Sequence, residues 1–571
     1  MRLGLAISFC LAVIVTWPLA IDPAGGLMGH PGNDVWNHVW GYWWVADEVA
    51  AGRFPLVTDL LGFPKVGRLF FIDTFGALLT LPVHWLAGPV VAYNAMVFLC
   101  ACFAAFSAWL LCRHVATTRL GAGDAPAVFG AAAFTFSPHL LAQSYNGISE
   151  TLSAGSVPFA TYAALRFIER PGWQTSSLLG LAGGVGMLAN WYYGLFAALG
   201  ALILGLATAT ARWERVNWRR VPLTVTAAAV LAAGVVSPGL VAFSRSLEGE
   251  AAIVSRDPDF VWNSLESHNI TDLVSVFRPG KVYSPDLKAL HGEELLIVVY
   301  IGWALMLAAA LGLRSMPRWR DRLPWLLWVG CFGLLMLGPY LYVNGSYFTV
   351  FDRRIPLPFL AFFDAFPLFD RISHPFRFVV PVQLGLAVLG TLGVAGLPRA
   401  GQAALGLAVA IESLALSPGP WPIARSQTAI PSYCAALRDD PVPGAVLDLP
   451  MGLPNLERAI YNYWQTVHQR PSPYSLNEPE PEVLARSHLA RALRVAEAAR
   501  VDTLPPVVGD LDLVVSGRHL ADLGVRYVVM HERFYLQERK ELTLALLRAA
   551  LGPETDTTAE GEHIWRLERD R

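Results

Sequence analysis

Charge is what this chain has least of. Only 15% of its 571 residues are Asp, Glu, Lys or Arg, and 54% are hydrophobic, whereas a soluble domain carries about a quarter charged residues. A chain so poor in charge, with a mean hydropathy of +0.43, belongs mostly in lipid. Its net charge of −2 leaves no basic excess to displace phosphate counterions, which excludes a nucleic-acid partner. Cysteine is nearly as scarce in useful places. Cys10, Cys100, Cys102, Cys112 and Cys331 lie in apolar runs, leaving only Cys434 in a water-facing segment. One exposed thiol builds neither a disulfide framework nor a thiolate metal site. The sequence shows no Gly-rich strand–turn–helix cradle and no HExxH, which argues against a cytosolic ATPase or nucleotide-sugar fold. It also has no internal repeat of fixed period and no low-complexity tract.

What is present is a succession of apolar runs of span length. They lie near 3–21, 91–112, 126–142, 149–168, 176–190, 193–211, 221–243, 294–313, 324–343, 379–397 and 401–418, about eleven helices in all. The first resembles a signal peptide but is long and followed by many more spans, so it reads as an uncleaved helix. The segment 69–89 is apolar but carries Asp73, Pro82 and His84. If it does not cross, Arg2, Arg113, Arg119, Arg166, Arg170, Arg212, Arg215, Arg219, Arg220, Arg314, Arg318, Arg320, Arg322 and Arg399 all fall on the cytoplasmic side, as the positive-inside bias requires. Four large segments then face outward: 22–90, 244–293, 344–378 and everything after about 419.

The fold class expected is therefore a polytopic α-helical membrane protein with outer juxtamembrane helices and a C-terminal soluble α/β domain. The expected division is a transmembrane domain over 1–418, with its first outer loop at 22–90, and an extracytoplasmic domain over 419–571. Within the tail, "GAVLDLPM" and "VRYVVMH" read as buried strands and "EVLARSHLARALRVAEAAR" as an amphipathic helix.

The first outer loop opens with "HPGNDVWNHVWGYWWVADEV", beginning at His30. On a helix over 34–48, Asp34, Asn37, His38 and Gly41 share one face, with Trp36, Trp40 and Trp43 on the other. An aromatic stripe of that kind suits the membrane–water interface, and the polar stripe would present Asp34 and His38 to a cavity at headgroup level. The plain alternative is that Asp34 only caps the helix.

This arrangement resembles the GT-C class of integral-membrane glycosyltransferases. The likeness extends to "AAGRFPLVTDLLGFPKVG" (51–67), "GPVVAYNAMVFL" (88–99) and "FTFSPHLLAQSYNGISETLSA" (134–154). In the tail it includes "YNYWQTVHQRPSPYSLNEPEPE" (461–482) and "LGVRYVVMHERF" (523–534). These look like the bacterial members related to protein-O-mannosyltransferases and lipid A aminoarabinose transferases. The resemblance implies transfer of a hexose or pentose from a polyprenyl-phosphate donor to an acceptor on the extracytoplasmic side of the inner membrane. The acceptor would be a glycan, lipid or protein, and the anomeric carbon would be inverted. It also implies that Asp34 is the base or acceptor-orienting acid. Many members carry paired acids there, whereas this chain has Asn33 beside Asp34. No metal ligand is assigned, and use of a divalent metal is left open.

The leaving lipid phosphate needs cationic stabilisation, which arginine supplies through its planar fork. "FDRISHPFRFVVPVQLG" (369–385) places Arg371, His374 and Arg377 just before a span starting on the outer side. Positive charge there runs against the usual bias and fits a phosphate-linked donor; Arg353 and Arg354 are weaker candidates. Glu150 opens the fourth span as a second acid, costly at a lipid boundary, with His139 and Asn146 as accessory polar groups. Glu293 and Glu294, with His268 and Asp272, read as loop residues or else as the lining of an acceptor channel or lipid pocket. His468 reads as a surface histidine or else one facing the membrane cavity, and Glu412 as a partner for an outer arginine. Asn269 and Asn344 open N-x-S/T sequons. Two other functional classes answer the same pattern: a transporter or flippase of lipid-linked glycans, and a non-catalytic envelope-assembly protein.

Overall fold

The computed structural model describes residues 1–212, 221–247, 258–267, 269–280, 294–316, 318–366, 369–476, 482–498 and 512–568. His268, Glu293, Arg215, Arg219 and Arg220 lie outside the described residues. The chain divides into two compact units. One comprises 1–30, 72–241 and 256–426; the other comprises 31–71, 242–255 and 427–571. Residues 31–71, most of the first outer loop, thus fall in the same compact unit as 427–571.

The first unit is helical. Leu81–Leu120, Trp191–Thr208, Val221–Ser246, Pro375–Val394 and Arg399–Leu416 make five described helices long and apolar enough to cross a membrane. The bent pair Ala125–Thr135 and Pro138–Asn146 makes a sixth if taken as one span. The sequence predicts about eleven. The remaining predicted spans fall on shorter or interrupted helices, among them Arg2–Val15, Trp173–Ala189, Trp303–Ser315 and Trp319–Met336. The doubtful segment 69–89 is no separate span. It holds the short helix Thr74–Leu79 and the start of Leu81–Leu120, whose helical geometry breaks at Gly88 (φ 83°) before Pro89.

Small residues set the helix packing here, as they do where backbones must approach without a hydrophobic driving force. Arg2–Val15 buries Gly4, Ser8 and Ala12, four residues apart on one face, and a Cβ on Gly4 would overlap the Trp109 ring. Trp303–Ser315 and Val379–Val394 touch backbone to backbone. A Cβ on Gly312 would overlap the Leu389 carbonyl, and one on Gly393 would overlap that of Ala308.

The predicted span 294–313 is helical only from Trp303. Leu296–Gly302 is non-helical and fully buried. Non-helical backbone inside an apolar unit survives only where protein supplies its hydrogen-bond partners, and several are present. The Asn146 side chain accepts from the Leu296 N–H at 2.8 Å and donates to its carbonyl at 2.9 Å. His139 Nδ1 lies 3.1 Å from the Val298 carbonyl, Gln383 donates to the Tyr300 carbonyl at 3.2 Å, and the Ile301 N–H reaches Val276 at 3.2 Å. Among the described residues Glu412 pairs with no arginine; it accepts from the Trp303 and Ala304 N–H groups at 2.7 and 2.8 Å, capping the helix that follows.

The second unit carries a four-stranded sheet in the order Asp556–Thr557, Glu562–Arg566, Val525–His531, Ala445–Leu449. Val525–His531 runs parallel to Ala445–Leu449 and antiparallel to Glu562–Arg566. Both segments read as buried strands from their apolar runs are strands. The predicted single helix over 482–500 is broken instead into Glu482–Arg486 and His488–Ala498. Ser487 causes the break: its hydroxyl accepts from the Ala490 N–H at 3.1 Å and starts a new helix. His468 is buried rather than superficial.

Candidate functional site

In the first unit, two helix interruptions and a tight turn gather the polar side chains. Pro138–Asn146 ends at Gly147 in the left-handed region (φ 71°), where glycine carries no Cβ penalty, and the short helix Ser149–Leu152 follows with Glu150 in its first turn. Trp173–Ala189 and Trp191–Arg212 are separated by Asn190, whose amide donates to the Glu150 carbonyl at 3.2 Å and accepts from the Tyr192 N–H at 3.0 Å. The Tyr193 hydroxyl donates to the Thr151 carbonyl. The backbone around Glu150 is thus fixed from a second helix.

Arg377 approaches from the turn Pro375–Phe378 that precedes Val379–Val394. It is only 6% exposed and Glu150 only 3%. The guanidinium lies over the Tyr192 ring, 4.9 Å from its centroid, and Nη2 is 4.0 Å from Glu150 Oε1. That separation gives charge compensation without a hydrogen bond. Arg377 Nε has no hydrogen-bond partner among the described residues, and neither do His139 Nε2 and Gln143 Nε2. Buried polar groups are nearly always paired. A buried cationic nitrogen left with a donor to spare, beside a carboxylate 4.0 Å away, therefore marks a place equipped for a polar ligand.

His374 sits on the same turn. Its N–H donates to the Tyr192 hydroxyl at 3.2 Å and its ring Nδ1 is 2.7 Å from Ser373 Oγ. Asn269, whose sequon suggests an exposed acceptor, is buried and donates to the Ser373 carbonyl at 2.6 Å. Arg371 is exposed at the end of the turn Phe369–Arg371, in contrast to Arg377. Asn146 has its amide engaged with Leu296, as described above. Two participants escaped the sequence reading. Tyr192 sits under Arg377, and Asp73 is fully buried, accepting from Ser149 Oγ beside Glu150 and from the Gly76 N–H at 3.2 Å. A carboxylate within an otherwise apolar run was the available signal for Asp73; nothing in "WYYG" distinguishes Tyr192 from a core aromatic.

The second unit holds Asp34 and His38. Asp34 stands at the N-cap of Val35–Ala50, yet its side chain makes no cap hydrogen bond. It accepts instead from Asn37 Nδ2 at 2.8 Å and lies 3.7 Å from His38 Nε2, with 17% of its side chain exposed. Asn37 in turn accepts from Asn462 Nδ2 at 3.2 Å. The tryptophans of this helix are not an interfacial stripe. Trp36, Trp40 and Trp44 are buried; Trp40 donates to Gln465 at 2.7 Å and Trp36 packs on Tyr463. An indole suits a core with one polar partner as well as it suits headgroups, which is why the residue types alone mislead.

Among the described residues no group of three or more His, Cys, Asp or Glu is placed to hold a metal ion.

No protein-family model matches the sequence, and no curated protein does. Solved structures do match. The apo oligosaccharyltransferase of Archaeoglobus fulgidus aligns at a TM-score of 0.51 and 14% identity, over 92% of this chain and 68% of that one. The same enzyme with an inhibitory peptide and a dolichol-phosphate aligns at 0.47 and 13%, over 96% and 71%. ArnT from Cupriavidus metallidurans bound to undecaprenyl phosphate aligns at 0.43 and 13%, over 99% and 97%. What this chain shares with the archaeal oligosaccharyltransferase is its fold, that of the GT-C class of membrane glycosyltransferases.

Proposed function

We propose that this protein is a membrane glycosyltransferase that moves a sugar from a polyprenyl-phosphate donor to a glycan, lipid or protein acceptor outside the inner membrane. The observation that carries the reading is the buried, incompletely bonded Arg377, stacked on Tyr192 and opposed by Glu150, in a chain of GT-C fold. A guanidinium held dry with donors to spare is suited to phosphate oxygens. The archaeal neighbour's complex with a dolichol-phosphate and the ArnT complex with undecaprenyl phosphate point to the same donor class.

In this reading the donor phosphate lies on Arg377, with His374 and Arg371 beside it. Glu150 keeps the empty site neutral. The acceptor hydroxyl attacks the anomeric carbon from the face opposite the phosphate and gives up its proton to a carboxylate, the part that the GT-C resemblance gives to Asp34, which Asn37 and His38 orient. The bond from the anomeric carbon to the phosphate oxygen breaks, the configuration inverts, and the lipid phosphate leaves with its charge on Arg377.

The test is turnover in nanodiscs with a panel of polyprenyl-phosphate sugars, followed by mass spectrometry, for wild type, Asp34→Asn and Arg377→Ala. Asp34→Asn should bind donor but lose about 10²–10⁴-fold in turnover. Arg377→Ala should lose donor binding. Wild type that binds donor and moves it across the bilayer without breaking the sugar–phosphate bond would make the protein a transporter.

A further inference from the structure

The residues between Met336 and Pro375 hold a feature the transfer reading does not use. Thr349–Val350 and Arg353–Arg354 pair as a tight antiparallel hairpin, Thr349 opposite Arg354 and Val350 opposite Arg353. Its two corner residues are Phe351 and Asp352, both left-handed at φ 51° and 59°. Such corners are the place of Asn and Gly; a bulky aromatic there is a conformational outlier. Phe351 is 96% exposed, and Phe348 and Val350 beside it are also exposed.

The stalk beneath the tip is rigid. Leu341 bonds to both Phe348 and Ile355, and Leu357 bonds back to Pro339. Arg354 is stacked on Tyr347 and paired with Glu266 at 2.7 Å. Arg353 and Asp352, by contrast, are exposed and make no ion pair among the described residues. A stiff mount thus presents a strained, bare aromatic flanked by one free charge of each sign.

We propose that this hairpin is a lipid anchor, with Phe351 and Val350 seated at the boundary between headgroups and acyl chains of the surrounding bilayer. The partner is a zwitterionic phospholipid surface. Arg353 snorkels to its phosphates and Asp352 meets its amines, while the phenyl ring enters the apolar layer. The argument for lipid over another occupant is continuity. The hairpin belongs to the helical unit and precedes, by one short helix (Pro358–Ala365), the span Pro375–Val394. This inference does not depend on the chemistry proposed above.

The experiment uses the full chain in phosphatidylethanolamine–phosphatidylcholine vesicles, with Cys10, Cys102 and Cys331 replaced by serine. A nitroxide is attached at Phe351→Cys or, to guard against a disturbed turn, at Val350→Cys in the regular strand. Collision with oxygen is compared with collision with a water-soluble nickel chelate. Leu407, exposed on Arg399–Leu416, and Thr557, exposed on the sheet edge, serve as lipid and water standards. An oxygen-to-nickel ratio at 350 and 351 several-fold above that at 557, and close to that at 407, supports the anchor. A ratio equal to that at 557 overturns it. So does a low ratio with spin–spin broadening that vanishes on dilution with unlabelled protein, because a second copy would then cover the tip.

Discussion

At the scale of single residues, Arg377 is distinguished by what holds it rather than by its charge. A lysine at 377 keeps the charge but forfeits the planar stack on Tyr192 and the fork that matches phosphate. We expect Arg377→Lys to lose donor affinity nearly as fully as Arg377→Ala, and Tyr192→Phe, which keeps the ring, to retain most of it. Titration with a polyprenyl phosphate in nanodiscs checks both. Removing Glu150 strips the buried guanidinium of its only close anion among the described residues. Breaking a buried pair costs on the order of 3 kcal/mol, so Glu150→Gln should lower the thermal midpoint of the empty protein. A phosphate-bearing lipid supplies the missing charge and binds only the folded state, so it should restore much of that loss. Unchanged melting with and without lipid would remove Glu150 from the site. Glu150 and Arg377 were legible in the sequence because charge at the edge of an apolar run is costly and needs a cause. Tyr192 and Asn190 were not, since an aromatic and an amide at a helix break look like any others.

At the scale of elements, hydrophobic length located the helices but not their interruptions. Residues 295–313 are apolar throughout, yet Leu296–Gly302 stays non-helical because Asn146, Gln383, His139 and Val276 supply its hydrogen bonds. Periodicity cannot register that supply, because the partners come from other helices. Asn146→Ala leaves the Leu296 N–H and carbonyl buried without that amide. We expect about 2–4 kcal/mol of destabilisation, read as a lower midpoint of thermal unfolding in detergent. Gly312→Leu forces apart two backbones in contact and should cost at least as much; Gly330→Leu, where a Cβ meets open space, is the matched control. The tryptophan helix teaches the converse lesson. Its amphipathic spacing predicts one wet face and one lipid face, yet the helix is buried on nearly every side, and its aromatic face meets Tyr463 and its neighbours.

At the scale of the whole molecule, the second unit carries a built-in acid sensitivity. Burial, against the pull of Asp448, pushes the His468 imidazole down to about 4 from an ordinary 6.5. Between those pH values the unfolded chain holds a proton that the folded chain refuses, so stability falls as pH drops from about 6.5 to about 4. At about 1.4 kcal/mol per unit the loss is on the order of 3 kcal/mol. Glu562 adds to it at the lower end. Burial would raise its carboxyl, but the neighbouring His531 ring and a hydrogen bond from the Thr558 hydroxyl outweigh burial and hold it below the usual range. Its stabilising share is therefore lost as pH falls below about 4.5. Urea unfolding of the full chain, followed by proteolysis at pH 7.5 and pH 5, should show the decline, and His468→Gln should flatten it. Equal midpoints at the two pH values would count against a buried neutral imidazole.

By itself the sequence determined the solvent each part seeks. Scarce charge and long apolar runs dictate helices in lipid, and short continuous apolar runs in a charged tail dictate buried strands. These are local matters of hydrophobic free energy and backbone satisfaction, and local pattern suffices for them. Only the tertiary structure decided which groups meet. Glu150 faces Arg377, Asn146 serves Leu296, Glu412 caps Trp303, and the helix after Asp34 packs into the tail unit. Each pairing joins segments far apart in the chain, and each is fixed by how closely helix backbones approach, a quantity set by interlocking side chains that no window of sequence contains.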